Sequence, residues 1–553
     1  MAERSMMEKR NYVYIEPEKY LMDVLALLRS FYPEMDIKPV VPGSREDVKK
    51  EAEDAGYFFS IKVDEAGDAS ALFSGKEYRY TAEELICGSY DEDRDFTVYK
   101  KALCRRLYSV FKDDTGRELP WGMMNGVRPT KPAFICTLAG RGRSEAAGYY
   151  KEEYLVTDDK IDMSWDIARV ETQMLSACEH REFSEPGDER GYSGGYSVYI
   201  GIPFCPTRCL YCSFTAYPLS SVKDGGEAYV DALIREMKEC SSIIPGRAPD
   251  SVYMGGGTPT ALSASQLDRI ISAAEDIYFT GPDIEFTVEA GRADSITEEK
   301  LRVLKKHGIS RISVNPQTFN QKTLDLIGRR ATAAETVEAY KMARDLGFDN
   351  INMDIILGLP GEGAYEVAHT CEVLEDLKPD SLTVHSLALK RASAMGEWLE
   401  KNGYGEITNT EEIQELARKC ALSIGLEPYY LYRQKDMSGG FENIGYARPG
   451  KECLYNVVMM EEVQTILGFG AGTVTKRVRP ADAPAIRNTE TVTAFRGSAN
   501  KKEDSSQALG DLIRDGGVLR LDISRCENFK DVKDYTERLP ELIDRKKQLF
   551  EQR

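Results

Sequence analysis

The sequence predicts an α/β protein: a partial parallel (β/α)6 barrel at 190–430, a small N-terminal α+β domain at 1–185, and a C-terminal extension at 431–553 that ends in a charged helix. Three observations predict it. Between 196 and 427, short β-rich runs alternate with helical patterns six times in succession. The runs are apolar almost throughout, as strands covered on both faces must be. The helical patterns are bracketed by residues that start and stop helices.

The elements follow in order. Strands are expected at 197–204, 251–255, 285–289, 311–314, 350–357 and 381–387, each rich in Val, Ile, Tyr or Thr. Helices are expected at 228–242, 264–278, 298–307, 333–346, 365–377 and 411–424. Ser263 and Thr297 stand where a side-chain oxygen accepts the first orphan amides of a helix. Gly308 and Gly347 stand where a helix leaves through a left-handed turn. A barrel built this way gathers its ligands at the carboxyl ends of its strands. Ahead of it, 57–63 and 70–73 read as strands joined by a turn at 64–68, 99–112 as a helix, and 183–196 as a linker. The loop LPWGMMNGVRPTK at 119–131 reads as a surface loop or as a docking site for an anionic partner. Beyond 430 the alternation ends; 497–506 reads as an exposed loop and 532–553 as a charged helix.

Composition narrows the function. The 553 residues allow three or four domains at about 150 residues each. With 42% apolar and 29% charged residues the chain is globular rather than disordered. The net charge, 72 minus 91 or −19, argues against nucleic acid as a partner, because phosphate backbones call for basic surface. No apolar run approaches the roughly 20 residues of a membrane span. The first residues lack the apolar core of a secretory signal. A cytoplasmic protein with reduced thiols is expected. Of twelve cysteines, nine are scattered and read as small buried apolar residues. The other three carry the argument.

Cys205, Cys209 and Cys212 fall within eight residues, directly after the first barrel strand. Thiolates this close can wrap one soft metal centre. Zinc would call for a fourth protein ligand, which here would have to be distant. Three thiolates also suit an iron–sulfur cube with one iron left open to a ligand. Gly255–Gly257, in Gly-Gly-Gly-Thr-Pro-Thr, end the second strand and let backbone approach a ligand closely; no Gly-Lys-Ser/Thr follows, as a phosphate loop would have. Glu289 closes the third strand. Asp354 lies inside the fifth, where a charge needs a partner.

The run Tyr199-Ile-Gly-Ile-Pro-Phe-Cys205-x3-Cys209-x-Tyr-Cys212, with the segments that follow it, resembles the radical S-adenosylmethionine (radical SAM) enzymes. Within them it is similar to the oxygen-independent coproporphyrinogen III oxidase and coproporphyrinogen dehydrogenase group. The resemblance implies a 4Fe-4S cluster held by Cys205, Cys209 and Cys212, which are thereby the catalytic and metal-binding residues. It implies that Gly256, Gly257 and Thr258 hold the amino group of SAM, that Glu289, Gln317 and Arg329 contact the cofactor, and that Asp354 takes its ribose hydroxyls. Tyr199, Tyr211 and Ala388 match further cofactor-lining positions. An electron from the reduced cluster would split SAM, and the 5′-deoxyadenosyl radical would take a hydrogen atom from the substrate. The implied partners are a tetrapyrrole with propionate arms, or haem, and a one-electron donor such as flavodoxin or ferredoxin. Arg311, Lys390, Arg391 and Arg433 are candidate cations for the propionates.

Two positions depart from the oxidases: Phe214 stands where they carry a fourth Cys, and Gly201 where they carry His. Phe214 is similar to the related haem chaperones. The segment 441–450 with Tyr455-Asn456 looks like a Gram-positive coproporphyrinogen dehydrogenase branch, which also carries an N-terminal extension. The expected function is oxygen-independent oxidative decarboxylation of coproporphyrinogen III to protoporphyrinogen IX in haem biosynthesis, with the C-terminal extension closing the active site. The alternatives are a haem-binding chaperone of the same family and a haem-degrading relative.

Overall fold

The structure is a computed structural model. It describes residues 11–551 apart from 33, 34, 36, 87–91, 179–194, 215, 245–247, 279–283, 391, 435, 436 and 481–520. Most of the expected linker, the loop at 497–506, Cys87 and Arg391 therefore lie outside the described residues. The chain divides into two compact units, 1–126 with 147–161 and 127–146 with 162–553.

In the first unit, the alternating run at 57–63 becomes β3 (Tyr57–Val63). The turn at 64–68 closes as expected, the Asp68 amide donating to the Asp64 carboxylate at 2.9 Å. β4 (Ala69–Phe73) and β5 (Lys76–Tyr80) continue it as an antiparallel meander. On the other side, β1 (Tyr12–Glu16) runs parallel to β3 and to β2 (Lys38–Val40); β1 and β2 are two strands the sequence pattern did not single out. Helices α1 (Leu21–Phe31) and α2 (Glu92–Thr115) cover the sheet around a core of Val13, Ile15, Leu28, Phe59, Ile61, Tyr99 and Phe111.

The second unit carries the βα alternation. β6 (Tyr196–Ile202) continues through β7 (Phe204–Cys205), which pairs with β8 (Tyr217–Pro218). β6, β9 (Ser251–Gly256), β10 (Glu285–Glu289), β11 (Arg311–Ser313), β12 (Ile351–Leu357) and β13 (Ser381–Ser386) are neighbours in that order, every pair parallel. This is the partial (β/α)6 arrangement. Helices α3 (Glu227–Glu239), α4 (Ala264–Tyr278), α5 (Glu298–Lys306), α6 (Ala333–Asp345) and α7 (Ala364–Leu377) make the crossovers, and α8 (Glu411–Ser423) follows β13. The caps act as read: Thr297 accepts the Lys300 amide, Ser263 accepts the Gln266 amide, and Gly308 and Gly347 take φ of +66° and +87°.

The later segments extend the same sheet instead of forming a separate layer. β15 (Asn443–Ala447) adds antiparallel to β13, and β14 (Glu427–Tyr432) adds antiparallel to β15. At the opposite edge β16 (Thr465–Phe469) runs parallel to β6, followed by the antiparallel pair β17 (Val474–Pro480) and β18 (Leu521–Glu527). Between them lies α9 (Leu454–Glu461), a short helix at the barrel floor, and the described chain ends in α10 (Leu539–Glu551). Among the described residues the sheet stays open, with β14 and β18 at its edges.

Candidate functional site

Cys205 ends β7, and Cys209 and Cys212 lie on the loop from it to β8, just past the carboxyl end of β6, where a βα barrel presents its ligands. Cys209 is buried, and Cys205 and Cys212 are partly exposed. The Cys212 amide donates to the Cys209 carbonyl at 3.1 Å, and the Leu210 amide to the Ile327 carbonyl at 3.0 Å, which fixes the loop. The Cys205 thiol lies 3.7 Å from the Thr258 hydroxyl. Burial pushes the Cys205 thiol up to about 11 and raises that of Cys212, so a metal centre must displace their protons. Among the described residues no three His, Cys, Asp or Glu side chains close around a single ion.

The glycine turn fits against this loop. Gly256 has φ +117°, and a Cβ on Gly257 would lie 2.5 Å from the Phe204 carbonyl oxygen, so side chains are excluded where the turn crosses β7. The amide protons are already spent: Gly256 donates to Glu289, Gly257 to Ile202 and Thr258 to Phe204. What remains for a ligand is acceptor oxygen, the complement of an ammonium group and not of a phosphate.

The carboxylates line the inner face of the strands. Glu289 accepts the Tyr253 hydroxyl at 2.7 Å. Burial, with the charge of Asp354 adding to it, pushes the Glu289 carboxyl up to about 7. Burial also acts on Asp354, but hydrogen bonds from His385, Asn352 and Thr383 outweigh it and hold that carboxyl below its usual range. Its oxygens lie 2.7 Å from Asn352 Nδ2 and 3.9 Å from His385 Nε2. Gln317 has φ +66°, a left-handed backbone that non-glycine residues rarely take. It is clipped onto β12, its amide donating to the Asp354 carbonyl and its carbonyl accepting from Ile356, both at 2.9 Å.

Arg329 ties the loops together. Its guanidinium donates to the carbonyls of Gly291 (3.1 Å) and Asn315 (2.8 Å) and to the Tyr211 hydroxyl (3.2 Å). Its Nε is buried without a partner, an unspent donor beside the thiol loop. Tyr199 stacks on Tyr253 and Tyr455, with ring centroids 6.1 and 5.9 Å away. Ala388 bridges to Met437.

Below the carboxylates, α9 plugs the barrel floor. Glu285 accepts the amides of Leu454 (2.7 Å) and Tyr455 (3.2 Å) at its N-terminus, and Arg128 donates to the carbonyls of Met460 (3.1 Å) and Glu461 (3.0 Å) at its C-terminus. A carboxylate at one end and a guanidinium at the other complement the helix dipole. Arg128, from the loop read as surface or docking, is thus turned inward. Arg311 is corrected too. It is the first residue of β11, only 2% exposed, and donates to Ser381 at the floor, so it is not a cation at the mouth. Arg433 is engaged by the Gly440 carbonyl at 2.8 Å, and Lys390 is exposed.

Four side chains escaped sequence reasoning: Tyr253, Tyr455, His385 and Arg292. Strand alternation offers Tyr253 and His385, which lie two residues before Gly255 and two after Thr383. Tyr455 enters the sequence reading only as part of a branch resemblance, not as a stacking partner, and nothing in the pattern marks Arg292. At Gly201, the position of the oxidases' His, a Cβ would run into Thr473 Cγ2, so a side chain there requires Thr473 to move. Phe214 is 71% exposed.

Soft thiols at a strand end, an acceptor-only turn and an orphan guanidinium nitrogen together fit an iron–sulfur cluster with SAM. Residues 199–374 match the family model of the radical SAM superfamily. The chain is 36% identical over 466 residues to the oxygen-independent coproporphyrinogen-III oxidase-like protein HemZ of Bacillus subtilis (strain 168), covering 82% of this chain and 88% of HemZ. It is 30% identical over 279 residues to the heme chaperone HemW of the same organism, covering 50% of this chain and 69% of HemW. It is 31% identical over 221 residues to the anaerobilin synthase of Escherichia coli O157:H7, covering 40% and 49%. The chain belongs to the radical SAM superfamily, in the group of oxygen-independent coproporphyrinogen III oxidases and their relatives. Its cofactors are a 4Fe-4S cluster and SAM. Among the described residues no helix is long and apolar enough to cross a membrane.

Proposed function

We propose that the protein catalyses the oxygen-independent oxidative decarboxylation of coproporphyrinogen III to protoporphyrinogen IX, taking single electrons from a flavodoxin or ferredoxin. When bound, the cluster and SAM together supply a carbon radical able to take a hydrogen atom from the substrate. The chain's residues do the rest. Cys205, Cys209 and Cys212 hold the cluster. The oxygens of the Gly256–Thr258 turn accept the amino group of SAM, and Asp354, kept ionised by His385 and Asn352, accepts its ribose hydroxyls. Glu289 and Gln317 flank the cofactor, Arg329 brings its Nε to it, and Tyr211 steadies that arginine. The stack of Tyr199, Tyr253 and Tyr455 closes the floor and keeps water out.

The observation that supports turnover best is the preparation of the SAM side. Gln317 is held in a strained backbone and Arg329 keeps a buried donor unspent, arrangements that cost stability unless a ligand repays them. A second reading, a haem-binding chaperone, draws on Phe214, on Gly201 in place of the oxidases' His and on the likeness to HemW. An anaerobic assay with reductant, SAM and coproporphyrinogen III separates them. The enzyme reading expects protoporphyrinogen IX and 5′-deoxyadenosine in proportion. Stoichiometric haem binding with neither product would overturn it.

A further inference from the structure

Arg292 is a buried guanidinium to which the cofactor roles give no task. It lies three residues beyond β10 and is 3% exposed. Asp294 holds it from one side, accepting from Nε at 2.9 Å and from Nη2 at 2.7 Å. The remaining nitrogen, Nη1, reaches the thiol loop, donating to the Thr207 carbonyl at 3.0 Å and to Cys209 Sγ at 3.5 Å. Cys209 is the one buried sulfur of the three.

The carboxylate fork and the Thr207 carbonyl would suffice to staple this loop. The sulfur contact adds something else. An iron–sulfur cluster gains a negative charge on reduction, and hydrogen bonds and net charge at its sulfurs set its potential. A cation held against a ligand sulfur in a buried site, where Coulomb interactions are little screened, favours the more negative state. Arg329 stands on the same side, but its Nη1 and Nη2 donate to Gly291, Asn315 and Tyr211 and its Nε has no protein partner, so Arg292 is the guanidinium bonded to the sulfur itself.

We propose that Arg292, oriented by Asp294 and hydrogen-bonded to Cys209 Sγ, raises the reduction potential of the cluster and so widens the range of donors able to reduce it. Arg292 is a positioning and tuning residue, not a catalytic one. The proposal rests on the assignment of the cluster to Cys205, Cys209 and Cys212.

The test is a redox titration of anaerobically reconstituted wild type, R292Q and R292K, followed by the electron-paramagnetic signal of the reduced cluster and normalised to bound iron. At the wild-type midpoint, R292Q is expected to show a ratio of reduced to oxidised cluster about tenfold lower, which is a midpoint about 59 mV more negative for a one-electron couple. R292K keeps the charge but has no planar fork to be held by Asp294 while reaching sulfur, and falls between the two. A loop staple alone would change how much cluster loads and not the potential of what has loaded. R292Q with wild-type iron and an unmoved midpoint overturns the proposal. Where R292Q loads no iron, R292K decides, and an unmoved midpoint in it overturns the proposal equally. A wild type that takes up no iron would overturn the cluster assignment, and this inference with it.

Discussion

Glu289 carries the most testable charge in the barrel. Tyr253 on β9, Asp354 on β12, Arg311 on β11 and the Gly256 amide all act on it, and burial dominates, bringing its carboxyl to about 7. A carboxyl raised in this way favours the apo fold below its ordinary range and loses that advantage as pH rises through 7. A cationic ligand reverses the preference, because it pairs with the ionised form. SAM affinity is therefore expected to strengthen between pH 6 and 8, by up to about tenfold per unit below 7, and E289Q should flatten the profile. Isothermal titration across that range checks it; an E289Q profile as steep as wild type would contradict the assignment. The thiols were legible because three of them fall within eight residues after a strand, and Glu289 and Asp354 because carboxylates are rare inside barrel strands. Tyr253 and Tyr455 were not, because a tyrosine on an inner face looks like any core residue. Arg311 was misplaced because a strand's first residue points chemistry at the floor, not the mouth.

At the scale of elements, the site depends on close packing between neighbours. In G257A the new methyl would press on the Phe204 carbonyl of β7, the strand that carries Cys205. Overpacking of this kind costs about 1–3 kcal/mol, and here the strain is expected to appear as lowered iron content at an unchanged secondary-structure spectrum. E285A removes the acceptor of two amides at the start of α9. It should destabilise the fold by about 1–3 kcal/mol for each buried amide left unmade, read by chemical denaturation. The six βα units were legible because their strands and helices are long enough to show a period. The eight residues of α9 are too few to show one, and β14 to β18 join the sheet edges by long-range pairing that no local pattern announces.

Across the whole second unit, the end of the described chain is tied back to α3 and to β16. Glu236 on α3 is fully buried and accepts Lys546 of α10 (2.5 Å), Tyr535 (2.6 Å), Asn528 (2.9 Å) and the Gly470 amide (2.8 Å). Lys546 also donates to the Gly468 carbonyl beside it. The charged terminal helix expected from the sequence thus contributes a fully desolvated ion pair as well as a solvated face. K546M leaves Glu236 buried without its cation and should cost about 3–5 kcal/mol in denaturant unfolding. A loss below 1 kcal/mol would mean that the terminal helix docks independently of this network. Charge patterning marked the helix but could not name its partner, because Glu236 and Lys546 are 310 residues apart.

The most direct test of the central claim is the metal content and electron-paramagnetic spectrum of anaerobically reconstituted protein, wild type against a Cys205→Ala, Cys209→Ala, Cys212→Ala variant. The account predicts iron and sulfide in a cubane's one-to-one ratio in wild type, a reduced-state signal that shifts when SAM is added, and loss of both in the variant. Full iron in the triple variant, or zinc and no iron in wild type, would contradict it.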